Sequence, residues 1–300
     1  MEKIKITFLG TGSAIPTEKR NHPSVFLEYK NEGILFDCGE GTQRQFRKAH
    51  LNPCKITRIF VSHWHGDHVL GIPGLLQTLA FNNYNKELKI YGPVGSVNIF
   101  NYYSKLFINK KTPLNVSIKE LRNDKIEESD FEIVSREMEH DCNCIAFSFK
   151  IKDKKRIDKK KLAKFKLPSL PSIRDLLDGK TIYFNGKKIE GKKLIYIEKG
   201  KKISYVTDTR LNKNIGELIK DSDVLISEAT YLNKEKEIAE NYFHLTAEQI
   251  ANEAKKAKVK KLFLFHLSQR YEKFDEEVLK EARKKFKESF LARDFDKIVI

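Results

Sequence analysis

The chain has 300 residues, 40% of them hydrophobic, which is enough to bury a large two-sheet core as one domain. No apolar run approaches the roughly 18 residues of a membrane span, and Glu2 and Lys3 open directly into a strand-like stretch instead of a signal peptide, so a cytoplasmic protein with no membrane partner is expected. Cysteines at 38, 54, 142 and 144 make no disulfide framework, and Cys142-x-Cys144 lacks the second pair that a structural zinc site needs.

In chain order, Lys5 to Leu9, Ser24 to Tyr29 and Gly33 to Phe36 carry the alternating or apolar pattern of strands, and Val69 to Phe81 and Ser96 to Phe107 the longer period of helices. Helices follow again over Thr246 to Ala257, where Thr246 and Gln249 make a capping signal, and over Phe274 to Phe286. This alternation argues an α/β fold.

The densest chemistry lies in Ser62-His63-Trp64-His65-Gly66-Asp67-His68, directly after the strand-like Ile59-Phe60-Val61. An extended backbone repeats its side-chain direction every second residue, so His63 and His65 share a face and can share a cation. Gly66 then lets the chain turn, which would aim Asp67 and His68 at a neighbouring position. Two cations fit such a pattern, and imidazole with carboxylate suits zinc while also accepting Mn²⁺ or Fe²⁺. Trp64 reads as a packing residue. One segment cannot close a dinuclear site, and three further strand-like runs end in candidates: Phe131 to Val134 leads to His140, Ile203 to Thr207 to Asp208, and Leu262 to Phe265 to His266. Strands lying side by side would bring those ends to one sheet edge.

Together with these blocks, Phe8 to Thr17, Arg20-Asn21, Asp37-Cys38-Gly39-Glu40-Gly41-Thr42-Gln43 and Gly71-Ile72-Pro73-Gly74 make the chain resemble the metallo-β-lactamase superfamily. Within it the resemblance is to the short-form ribonuclease Z family, and it runs over nearly the whole length. Later blocks agree: Met138-Glu139-His140, Thr207 to Arg210, Glu228-Ala229-Thr230, His244 to Ala247 and His266 to Tyr271.

The resemblance implies an αββα sandwich with two Zn²⁺ per chain, one held by His63, His65 and His140, the other by Asp67, His68 and His266, with Asp208 bridging. It implies a homodimer and an endoribonuclease that removes the 3′ trailer from precursor tRNA by attack of a metal-bridging hydroxide, leaving a tRNA 3′-hydroxyl and a trailer 5′-phosphate. Asp67 would also be the general base, and His244 with Glu228 would supply the leaving-group proton. Two departures stand out: Leu245 where serine is usual, and Ser227 where histidine usually precedes Glu228, which leaves the orientation of Glu228 open.

The chemistry explains the residue types. A phosphodiester is anionic and its ribose 3′ oxygen is a poor leaving group, so cations that acidify water and offset charge must be joined by an acid such as histidine. Arg270, four residues after His266, is placed to clamp a phosphate.

Charge is unevenly spread. Of a net +16, residues 150–202 carry +13, from 19 Lys+Arg against 6 Asp+Glu. Within that stretch, Lys152, Lys154, Lys155, Arg156, Lys159, Lys160 and Lys161 form a dense run, Phe165 to Pro171 is broken by proline, and Ile182-Tyr183-Phe184 leads into an Asn185-Gly186 hairpin signal. We read residues 152–192 as an inserted basic arm within a single domain of residues 1–300, whose charge suits the phosphate backbone of tRNA. A superfamily phosphodiesterase or other hydrolase of small molecules is the alternative, but a small substrate has no use for so much localised charge. A catalytically dead RNA-binding protein is disfavoured because no ligand is missing.

Overall fold

The computed structural model describes residues 3–107, 114–164, 172–184 and 186–300. It divides into two compact units, one of Met1–Glu127, Ile133–Phe149 and Lys202–Ile300, the other of Glu128–Glu132 and Lys150–Lys201.

The larger unit is built on two seven-stranded mixed sheets. The first runs in the order Lys297–Val299, Ile4–Gly10, Ser24–Tyr29, Glu32–Phe36, Arg58–Phe60, Leu88–Gly92, Val116–Glu120. The second runs Ser289–Leu291, Leu262–Phe265, Val224–Glu228, Lys202–Val206, Cys144–Ile151, Phe131–Met138, Lys125–Glu127. Strands such as Val224–Glu228, buried along their whole length, pair in parallel on both sides, as expected of a strand covered on both faces. Aromatic side chains fill the space between the sheets: Phe36 stacks on Tyr205 at 5.2 Å and Phe60 meets Phe147 edge-on at 5.1 Å.

Helices Thr42–Lys48, Ile72–Phe81 and Ser96–Phe107 close the outer face of the first sheet through Phe46, Leu75, Leu79 and Phe100. Helices Lys213–Ile219, Ala247–Lys256 and Glu276–Lys285 close the second through Ile215, Leu218, Ile250 and Val278. The result is the αββα sandwich. Thr246 caps its helix as the sequence suggests, with both halves of the capping box in place. The stretch read as one helix from Val69 to Phe81 is instead two, Gly66–Val69 and Ile72–Phe81, separated at Leu70-Gly71. Gly71 is needed there: a Cβ would lie 2.0 Å from the carbonyl oxygen of Gly39, so the Gly39-Glu40-Gly41 loop docks on the backbone that carries Asp67 and His68.

The smaller unit holds the ladder of Lys154–Ile157 with Ile195–Glu198, the hairpin of Thr181–Phe184 with Lys187–Glu190, and short helices at Lys159–Ala163 and Ser172–Leu177 around Leu176, Ile189 and Leu194. It is wider than the 152–192 arm read from sequence and takes in Glu128–Glu132, tied on by the Lys152 amide donating to the Asp130 carbonyl at 2.9 Å. The Pro-broken stretch 165–171 and Asn185 of the hairpin signal lie outside the described residues; Gly186 has the left-handed φ of 72° that suits a two-residue turn. Among the described residues no helix is long and apolar enough to cross a membrane.

Candidate metal centre

All seven ligands named from sequence stand at strand ends or in the one-turn helix after a strand. His63 and His65 follow Arg58–Phe60 in the first sheet; His140, Asp208 and His266 follow Phe131–Met138, Lys202–Val206 and Leu262–Phe265 in the second. The three second-sheet strands are interleaved with Cys144–Ile151 and Val224–Glu228 instead of adjacent. The ends still converge. Asp67 and His68 are carried by the helix Gly66–Val69 and not by the open turn expected after Gly66.

The donor atoms form two groups that share Asp208. In the first, His63, His140 and Asp208 come together, and His65 Nδ1 lies 3.2 Å from His140 Nε2. In the second, His68 Nε2 lies 3.3 Å from both His266 Nε2 and Asp67 Oδ2, and His266 Nε2 lies 3.1 Å from Asp208 Oδ1. Ligand atoms about 2.0–2.2 Å from a tetrahedral ion are about 3.3–3.6 Å apart, so these spacings are close to those of donors around a cation. His63 Nε2, 3.9 Å from Asp208 Oδ2, is buried with no hydrogen-bond partner among the described residues. An orphaned nitrogen buried among other donors is costly unless an ion fills the gap. The donor set fits divalent metal.

Protonation follows from the crowding. Burial and the nearby His68 keep His63 well below the usual histidine range, neutral and able to ligate. Burial alone would raise Asp67, but the charge on His68 and the proximity of His266 hold its carboxyl far below the ordinary range. Burial likewise opposes charge on His68, yet Asp67, Asp208 and Asp37 raise it well above its ordinary value.

A second layer fixes the rings. Asp37, fully buried at a left-handed φ of 53°, accepts from the Ser62 amide at 2.7 Å and hydroxyl at 2.9 Å and from Tyr205 Oη at 2.7 Å, and faces His68 Nδ1 at 2.9 Å. Ser62 Oγ in turn meets His63 Nδ1 at 3.0 Å. One carboxylate thus orients a ligand in each group. Burial and Asp37 push the Tyr205 phenol well above its usual range, so it stays a donor. The sequence marked Asp37 only as part of a family block and did not mark Ser62 or Tyr205 as orienting groups. Trp64 packs on Tyr103 and donates to Ser96 Oγ at 2.7 Å, a packing role as read from sequence.

His244 and Glu228 meet beside the second group. His244 Nδ1 is 3.2 Å from each Glu228 oxygen. Burial would lower His244, but the Glu228 carboxylate outweighs it and raises the ring to about 9. The orientation left open by Ser227 is set elsewhere: Glu228 Oε1 accepts from the Thr209 amide at 2.8 Å and Oε2 from the Thr230 hydroxyl at 2.6 Å. Leu245 is fully buried in the hydrophobic core behind the second sheet.

His65, Asp67, His140, Asp208, His244 and His266 line a cavity of about 330 Å³ that also includes Ser13, Ala14, Tyr231, Tyr242 and Arg270. Arg270 faces this space, but its guanidinium is engaged: it donates to Glu235 at 2.7 Å and lies over the Tyr231 ring at 5.0 Å. A phosphate would have to compete with Glu235 for it.

Two layered sheets closed by helices, with histidines and aspartates gathered at their edges, define a hydrolase of the metallo-β-lactamase fold. Comparison with known proteins narrows this. The family model described as the β-lactamase superfamily domain matches residues 193–267, and the model for the anti-Pycsar protein Apyc1 matches residues 4–101. The chain is 40% identical to the ribonuclease Z of Nanoarchaeum equitans over 89% of its own length and 84% of that protein. It is 38% identical to the ribonuclease Z of Thermococcus kodakarensis over 98% and 94%. The crystal structure of human tRNase Z, short form, superposes with a TM-score of 0.71 at 27% identity, covering 98% of both chains. The chain belongs to the ribonuclease Z family.

Proposed function

We propose that the seven clustered side chains hold two zinc ions, His63, His65 and His140 one, Asp67, His68 and His266 the other, with Asp208 between them. The chain is a metal-dependent endoribonuclease of tRNA 3′ processing, and the reading of its site is carried by one observation, the two groups of donor atoms that share Asp208. Divalent ions bound there would acidify water and offset the charge on the phosphoryl oxygens.

The chain's own residues do the rest. Asp67, whose carboxyl lies far below the ordinary range, would ligate and accept a hydrogen bond from the attacking water at neutral pH. Attack at phosphorus breaks the bond to the ribose 3′ oxygen, which departs with a proton from His244. Glu228, bound at Nδ1, keeps the ring doubly protonated so that Nε2 gives up that proton, and the products are a tRNA 3′-hydroxyl and a trailer 5′-phosphate. Arg270 adds phosphate contact only by exchanging its Glu235 partner.

The basic unit supplies the second half of the reading. Its 6 acidic residues in 150–202 can neutralise at most a third of the 19 Lys and Arg there, and in the folded unit Arg156, Lys161, Lys180, Lys193 and Lys199 lie against acids. The excess of positive charge, with the basic run from Lys152 to Lys161 as the proposed contact, suits the closely spaced phosphates of tRNA. A cytoplasmic homodimer is the assembly proposed on family grounds. The test is incubation with a trailer-bearing precursor tRNA, with and without a chelator, and mapping of both new ends. Chelator-insensitive cleavage, or a 3′-phosphate on the tRNA product, refutes it.

A further inference from the structure

The position after His140 adds something to this centre that the seven ligands do not account for. Asp141 Oδ1 lies 3.2 Å from His140 Nε2, the same nitrogen that faces His65 Nδ1 at 3.2 Å. It also lies 3.3 Å from His65 Nε2. Neither approach has the alignment of a hydrogen bond. The relation of Asp141 to His140 repeats that of Asp208 Oδ1 to His266 Nε2, at 3.1 Å, where carboxylate and imidazole face a common point. Asp141 together with His65, His140 and Cys142 places one ligand atom each within 4.8 Å of one another.

We propose that Asp141 is an additional, displaceable ligand of the ion held by His63, His65 and His140. This rests on the metal-bound reading of the site. The three imidazoles share only the Asp208 carboxylate with the other group; a second carboxylate adds charge, raises the coordination number and moves the donor set toward the harder ions that favour oxygen. Asp141 is the most exposed member of the cluster, its side chain 54% accessible while that of His140 is 4%. It also stands on the rim between the catalytic cavity and a second one of about 470 Å³ lined by Arg122, Glu139, Asn143, Arg210 and Phe243. Both arginines there lie against carboxylates, Arg210 against Glu139 at 2.8 Å and Arg122 against Glu137 at 3.8 Å. A carboxylate so placed can yield its position to a phosphoryl oxygen and return when product leaves. Cys142 is the other donor of this group, and the test separates it from Asp141.

The test compares wild type, Asp141→Asn and Cys142→Ser for metal content, affinity by chelator competition and the visible spectrum of the Co²⁺-loaded protein. The amide of Asp141→Asn keeps the size of the side chain but loses the anionic ligand. We expect affinity at one of the two sites to fall by about tenfold or more, with a Co²⁺ spectrum changed toward lower coordination, while thermal unfolding of the metal-free protein stays unchanged. Cys142→Ser should match wild type. An Asp141→Asn protein identical to wild type in affinity and spectrum overturns the assignment, as does a sulfur charge-transfer band that Cys142→Ser abolishes. Wild type that binds no divalent ion would instead defeat the underlying reading of the site.

Discussion

Replacing Glu228 with glutamine tests the proton-delivery half of the mechanism. The carboxylate faces His244 Nδ1 at 3.2 Å and is the main reason the ring is raised to about 9 against the pull of burial. A histidine so raised is protonated below that value and loses its proton as pH climbs through it, so wild-type cleavage should fall on the alkaline side. With Glu228→Gln the opposing effect of burial remains and the pKa returns to the ordinary value of about 6.5 or below. At pH 7.5 the protonated fraction then drops from nearly all to about a tenth, and kcat should fall about tenfold, or more where burial and nearby cations lower the ring further. The fold should tolerate the change, because the glutamine oxygen can still accept from the Thr209 amide and its NH₂ can donate to Thr230 Oγ1, the present partners of the carboxylate. The assay is single-turnover cleavage of precursor tRNA from pH 6 to 10. A substrate with sulfur in place of the ribose 3′ oxygen needs no proton on departure and should restore the rate of both Glu228→Gln and His244→Ala. Unchanged pH dependence in Glu228→Gln, or no rescue of His244→Ala by the sulfur substrate, refutes the role given to this pair.

Asp37→Ala removes the carboxylate that orients His68 directly and His63 through Ser62, and we expect metal affinity to fall about 10- to 100-fold by chelator competition; unaltered affinity would make Asp37 merely a core residue. Changing Lys159, Lys160 and Lys161 together to glutamine should weaken precursor tRNA binding regardless of sequence and reduce the dependence of log Kd on log salt by about two to three. An unchanged slope would remove this run from the contact surface. Phe147→Ala, at a fully buried side chain packed between Phe36 and Phe60, should cost about 3–5 kcal/mol by urea unfolding, and a loss below about 1 kcal/mol would contradict the packing of the two sheets.

The contrast between Asp208 and Asp37 shows what a sequence can disclose about such a centre. Asp208 terminates a strand with an alternating pattern, and strand ends are where a backbone hands side chains to a site, so position alone makes it a candidate. Asp37 also follows a strand, but its meaning depends on Tyr205, 168 residues away on the opposite sheet. Tyr205 sits mid-strand among residues whose periodicity says only that they are buried. Its hydroxyl bond is a product of two sheets packing face to face, and no one-dimensional pattern carries that distance. The same limit explains Arg270, whose spacing from His266 is visible while its Glu235 partner is not. It also explains the smaller unit: the charge excess over 150–202 tracks Lys150–Lys201 closely, yet Glu128–Glu132 joins it through contacts across the turn of chain that carries His140. The candidate donors are legible because coordination chemistry demands particular side chains at strand ends. The groups that aim them are not, because almost any buried polar residue can serve if the fold brings it within about 3 Å.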